Sequence, residues 1–167
     1  MVTPFNDDAS KKQPLRKHML VHMFCGGVVF FIAIHCILRF LYFLNLPVVV
    51  EYYSEMQTYT DPSDLKTFLL SWAYAILLAP VLEEILFRRL LLPFFLRWLH
   101  AAIAILLQAV VFALIHWSFV QSTYALLMGL LMGYVYYKYR RISYCILFHV
   151  TVNLCNLPYL FISGSLS

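Results

Sequence analysis

Charge is what this 167-residue chain has least of. Asp, Glu, Lys and Arg make up 12% of it, where a soluble domain carries about a quarter. Hydrophobic residues reach 63%, aromatic residues 17%, and the mean hydropathy is +0.80. So little polar side chain cannot clothe a globule against water, which excludes a soluble enzyme, a disordered tail and a nucleic-acid module. Cysteine is sparse too. Cys25, Cys36, Cys145 and Cys155 lie in apolar stretches without a CxxC pair and read as packed or lipid-facing thiols, not as a disulfide framework. Of the five glycines, Gly129 and Gly133 stand four apart, the spacing of closely packed transmembrane helices. The HExxH zinc signature, the repeats of transporters and a prenylation box at the Gly-Ser-Leu-Ser end are all missing.

What the chain has instead is long apolar runs. A membrane-crossing helix needs about 20 mostly apolar residues. Residues 19–50, 65–92, 101–120, 123–137 and 142–162 supply such runs, the fourth a little short. They predict an all-α, polytopic membrane helical bundle of about five transmembrane helices. The first run is far longer than a signal-peptide core and reads as a retained helix. Basic residues favour the cytoplasmic side of short loops. Lys11, Lys12, Arg16 and Lys17, then Arg97, then Lys138, Arg140 and Arg141 fall on one side of five alternating spans. Glu51, Glu55, Asp61 and Asp64 fall on the other, with Lys66. The N-terminus is thus expected in the cytoplasm, with residues 1–18 as a basic tail and 19–167 as one intramembrane domain of a multi-pass cell-membrane protein.

Ionisable residues inside a span are costly unless paired or hydrated, so each marks a functional hypothesis. Three places break the apolar pattern: Glu83-Glu84 with Arg88, His116, and His149 with Asn153. Adjacent residues on a helix differ by about 100°, so Glu83 and Glu84 cannot point the same way. Glu84 and Arg88, four apart with the acid first, suit a local ion pair that leaves Glu83 to face a cavity. His149 and Asn153 share a face. Polar groups from three helices can thereby converge on one wet pocket. As interhelical glue, Ser, Thr or Asn would serve at lower desolvation cost.

A carboxylate and an imidazole beside a water can deprotonate it for attack on a carbonyl. A second imidazole and an amide can donate to the oxyanion that forms. That inventory points to amide hydrolysis without a covalent nucleophile. A zinc site built from one Glu and two His is the nearest chemical rival, and the metal-free route is preferred, with no cofactor.

In that order on successive helices, Glu83-Glu84-x-x-x-Arg88, Phe112-x-x-x-His116 and His149-x-x-x-Asn153 resemble the CAAX-protease and bacteriocin-processing (Abi) family, intramembrane endopeptidases related to the CAAX prenyl endopeptidase of eukaryotes. Pro80 before the glutamates fits the same pattern, whereas Arg89 stands where many members have Gly, and only one span precedes the glutamate helix. The resemblance implies an all-helical membrane fold and glutamate-dependent, metal-independent hydrolysis. It implies Glu83 as general base, His116 orienting the water, Glu84 and Arg88 as a supporting pair, and His149 with Asn153 at the oxyanion. The expected partners are the bilayer and a peptide or membrane-protein substrate, in peptide maturation or bacteriocin self-immunity. The alternative is a non-catalytic membrane partner on the same fold, for example one that binds a transporter or sensor kinase.

Overall fold

The structure is a computed structural model and describes residues 14–58, 65–116 and 118–164, with side chains left out at 55–58, 65, 67 and 157–164. The described residues form six helices and no strand. Helix α1 spans Lys17–Phe43 and α2 Pro47–Thr58. Helix α3 runs without a break over residues 65–96, alternating α-helix (Leu65–Ala73, Ala79–Glu84, Leu92–Leu96) with π-helix (Tyr74–Leu78, Ile85–Leu91). Then come α4 (Ala101–Leu114), α5 (Phe119–Tyr139) and α6 (Ile142–Gly164). Three stretches are long and apolar enough to cross a bilayer, Lys17–Phe43, Phe68–Leu96 and Phe119–Tyr139, while Ala101–Leu114 and the described part of α6 are shorter apolar helices.

The first apolar run does not continue to residue 50, as hydropathy alone suggests. It stops at Phe43 because Asn45 takes a left-handed conformation (φ 56°). The Asn45 N–H then donates to Tyr42 O at 2.8 Å and Leu46 N–H to Leu41 O at 3.3 Å, closing the helix end in a Schellman turn. Pro47 opens α2 immediately afterwards, a position that needs no N–H donor. Glu51 therefore lies in a helix rather than an acidic loop. Helix α2 packs back through Val49, with Tyr52 and Tyr53 beside it, onto Leu38 of α1 and Val120 of α5. The remainder of the expected acidic loop, with Asp61 and Asp64, lies outside the described residues, as does most of the basic tail 1–18.

The two π segments of α3 each lead into a proline. The π register pairs an N–H with the carbonyl five residues back, as Ala79 N–H does with Tyr74 O and Leu92 N–H with Phe87 O. Pro80 and Pro93 follow, and a proline has no N–H to give. The wide turns accommodate both rings inside one continuous helix.

Helices α1 and α6 run parallel. Arg16 N–H donates to the Tyr144 hydroxyl at 3.0 Å, and a Cβ on Gly27 would stand 2.9 Å from Thr151 Cβ. Phe30 packs edge-on to Phe148 at 5.7 Å between centroids. Helices α4 and α5 run antiparallel and closer still. At Gly129 a Cβ would meet the Ala109 Cα at 3.0 Å, and at Gly133 the Gln108 Nε2 at 2.6 Å. Backbones approach here because small residues let them, the packing that holds helices together where lipid is as apolar as leucine. Gln108, fully buried, ties the pair by donating to Gly129 O at 2.8 Å. These directions bring the start of α1, the α3–α4 link with Arg97 and the α5–α6 turn with Lys138, Arg140 and Arg141 to one end of the bundle. All four cysteines are free thiols, Cys25 and Cys36 exposed on α1 and Cys145 buried.

Candidate active site

Halfway along α3, Glu84 and Arg88 lie on the inward face, both fully buried. Arg88 Nε stands 3.1 Å from Glu84 Oε2. The guanidinium lies over the Phe112 ring, 4.7 Å from its centroid, a cation–π contact in a dry setting. Among the described residues no acceptor hydrogen-bonds its two terminal nitrogens.

From α6, His149 meets this pair. Its Nδ1 lies 2.9 Å from Glu84 Oε1, and its Nε2 lies 3.7 Å from Glu83 Oε2. A carboxylate that already pairs with arginine accepts, so the Nδ1–H of His149 donates to Glu84, and the ring is fixed with Nε2 toward Glu83. The 100° between the two glutamates does separate them, yet they grip opposite edges of one imidazole. Exposure divides their roles: the Glu84 side chain is sealed at 0%, whereas Glu83 keeps 26%. Glu83 is the carboxylate that a reacting molecule can reach.

Helix α4 is shorter than the run 101–120 expected from hydropathy. It ends at Leu114, and His116 sits in the turn beyond it. Its main-chain N–H donates to Ala113 O at 3.1 Å, its Nδ1–H to Phe112 O at 2.9 Å, and its carbonyl accepts from Ser122 Oγ at 3.0 Å. The imidazole is thus folded back toward Phe112, one turn earlier in the chain. Phe112 is the hub: its ring stands edge-on to His116 at 5.1 Å, to His149 at 6.0 Å and to Phe87 at 5.0 Å. Through Phe112 the two imidazoles are neighbours at one site.

Asn153, one turn beyond His149, donates Nδ2–H to Ala75 O at 2.9 Å. In the π register the N–H due to that carbonyl is the one Pro80 lacks, so the amide of α6 completes the helix that the proline interrupts. Sequence reasoning passed over Tyr124 of α5, which lines a cavity with Tyr52 and Asn153. One of 12 tyrosines in an aromatic-rich chain, it carries no motif that could have flagged it. Among the described residues, no cluster of three His, Cys, Asp or Glu side chains has the geometry to hold a metal ion.

The profile of the type II CAAX prenyl endopeptidase Rce1-like family matches residues 65–155, more than half of the chain. The matched segment runs from the start of α3 into α6 and contains Glu83, Glu84, Arg88, His116, His149 and Asn153. No curated protein and no solved structure matches the chain. With three apolar helices of spanning length and that match, the chain is an integral membrane protein belonging to the Rce1-like family of type II CAAX prenyl endopeptidases.

Proposed function

We propose that the chain hydrolyses a peptide bond at Glu83, inside the membrane, with water as the nucleophile. The observation that carries the reading is the clamp on His149: Glu84 on Nδ1 at 2.9 Å and Glu83 across from Nε2 at 3.7 Å. A structural ion pair requires one carboxylate for Arg88; the second, partly exposed carboxylate has no structural task that the first does not already perform. Glu83 takes a proton from water, which His116 orients through Nε2, its Nδ1–H being committed to Phe112 O. The hydroxide forms the C–O bond, and the carbonyl electron pair moves onto oxygen. With Nδ1 held by Glu84, Nε2 of His149 is the nitrogen turned to the reacting group, and an N–H there donates to that oxyanion. The second N–H of Asn153 joins it. Collapse expels the amine, which recovers the proton from Glu83. Donors of this kind contribute about 10²–10³-fold each and a placed base about 10²–10⁴-fold.

The same reading places the basic end of the bundle in the cytoplasm and the chain in the cell membrane as a multi-pass protein. Its substrate is a peptide or the juxtamembrane end of a protein, in peptide maturation or bacteriocin self-immunity. The test is a mass-spectrometric comparison of peptides from cells expressing the wild type and Glu83→Gln at equal membrane abundance. Peptides that change with the substitution support it. An unchanged peptide pool, with the cellular phenotype retained by Glu83→Gln, would instead favour a non-catalytic membrane partner.

A further inference from the structure

One turn of α6 beyond His149, Asn153 lines a cavity of about 170 Å³ that the hydrolytic machinery does not use up. Five aromatic rings wall it: Phe30 and Phe31 of α1, Tyr52 of α2, Trp72 of α3 and Tyr124 of α5. Asn153, which the hydrolytic reading puts at the oxyanion, lines it together with Tyr124. The cavity and the site therefore share a wall. Phe30, Phe31 and Tyr52 precede residue 65, so three of the five rings belong to the part of the chain that the family profile does not cover. The chemistry of this cavity is the chain's own.

We infer that the cavity receives an aromatic side chain of the substrate, on the residue beside the bond that is cut. The inference rests on the peptidase reading for its place next to the cleaved bond. Its size suits the occupant: an apolar cavity of about 150 Å³ holds a benzene molecule. So does its lining, because aromatic rings prefer edge-on or offset neighbours at about 4.5–7 Å. Two of the walls already stand in that relation, Phe30 and Tyr124 with centroids 6.4 Å apart at 45°. An aliphatic side chain would fill the space without those ring contacts.

The binding test uses Glu83→Gln protein, so that no turnover intervenes, with Trp98→Phe and Trp117→Phe to leave Trp72 as the sole indole. Bilayer-anchored peptides differing only in Phe or Ala at one position are titrated while Trp72 emission is followed. The Phe peptide is expected to bind at least tenfold more tightly than the Ala peptide. Ile34→Phe with Leu38→Phe, which fills the cavity, is expected to abolish that preference. Phe31→Ala, which enlarges it, is expected to move the preference to a naphthylalanine peptide. Equal affinity for the Phe and Ala peptides, or a preference that neither variant alters, overturns the inference. Cleavage by protein with Glu83 intact is read separately. Cutting next to the aromatic residue supports both proposals, and cutting remote from it overturns this one alone. Selective binding without any cutting sinks the peptidase reading and leaves the aromatic pocket standing.

Discussion

His149 Nδ1 and Glu84 Oε1 are 65 positions apart in sequence and 2.9 Å apart in space. That contact converts an intrahelical ion pair into a three-residue clamp, Arg88–Glu84–His149, spanning α3 and α6. It fixes which edge of the imidazole faces Glu83. The clamp binds the two halves of the site into one electrostatic unit, with consequences for stability as well as chemistry.

Removing one member of a buried pair leaves an uncompensated charge, at a cost of about 3–5 kcal/mol. Glu84→Gln should therefore lower the unfolding free energy in detergent by about that much, and Arg88→Met likewise. The double substitution removes both charges and should recover more than half of the loss. Additive losses in a thermal-unfolding cycle would show that the pair is not coupled.

Asn153→Ala should strand the Ala75 carbonyl, a loss of about 1–3 kcal/mol for a buried group deprived of its partner. Pro80→Ala restores a main-chain N–H to α3. In that background Asn153→Ala should cost clearly less, as measured by chemical unfolding. An undiminished cost would mean that the amide does not stand in for the missing proline donor.

The two glycines of α5 predict opposite behaviour from one on α1. Gly129→Ala gains up to about 1 kcal/mol in helix propensity. Its Cβ, however, would stand 3.0 Å from both Cα and Cβ of Ala109, backbone that can yield only by separating the helices, at about 1–3 kcal/mol. The net should be a loss. At Gly26 the nearest atom is Phe148 Cε2 at 3.4 Å, the end of a ring, and alanine there should be neutral or slightly stabilising. Melting temperatures of the two variants decide it.

Hydrolysis should be unaffected by prolonged exposure to 1,10-phenanthroline or EDTA at about millimolar concentration, conditions that strip accessible zinc from a site of three protein ligands. Loss of cleavage that returns on adding zinc would replace the water-and-carboxylate route with a metal one.

Much of this was legible in the sequence. Low charge and long apolar runs announced an all-helical membrane protein, and helix phase alone separated Glu83 from Glu84 and paired Glu84 with Arg88. The misjudged helix ends have a common cause: hydropathy cannot register a backbone angle. Leu44-Asn45-Leu46-Pro47 carries no charge and sits between two apolar stretches, so a hydropathy window runs through it, yet Asn45 turns left-handed and ends α1. His116 likewise looked embedded in a 20-residue run, whereas α4 stops two residues before it. The part of the site that helix phase could not supply is the tertiary part. Nothing local ties Glu84 to His149, and the carbonyl that Asn153 serves is exposed by a π turn whose register depends on how Pro80 is accommodated. Tyr124 is placed by the packing of α5 against α4, α6 and α2.

The most direct test of the central claim is the initial rate at which purified protein in proteoliposomes cleaves a bilayer-embedded peptide, measured for the wild type and for Glu83→Gln variants of matched melting temperature. The account predicts that Glu83→Gln lowers the rate by 100-fold or more, the scale of a lost general base. A rate within threefold of the wild type would contradict it.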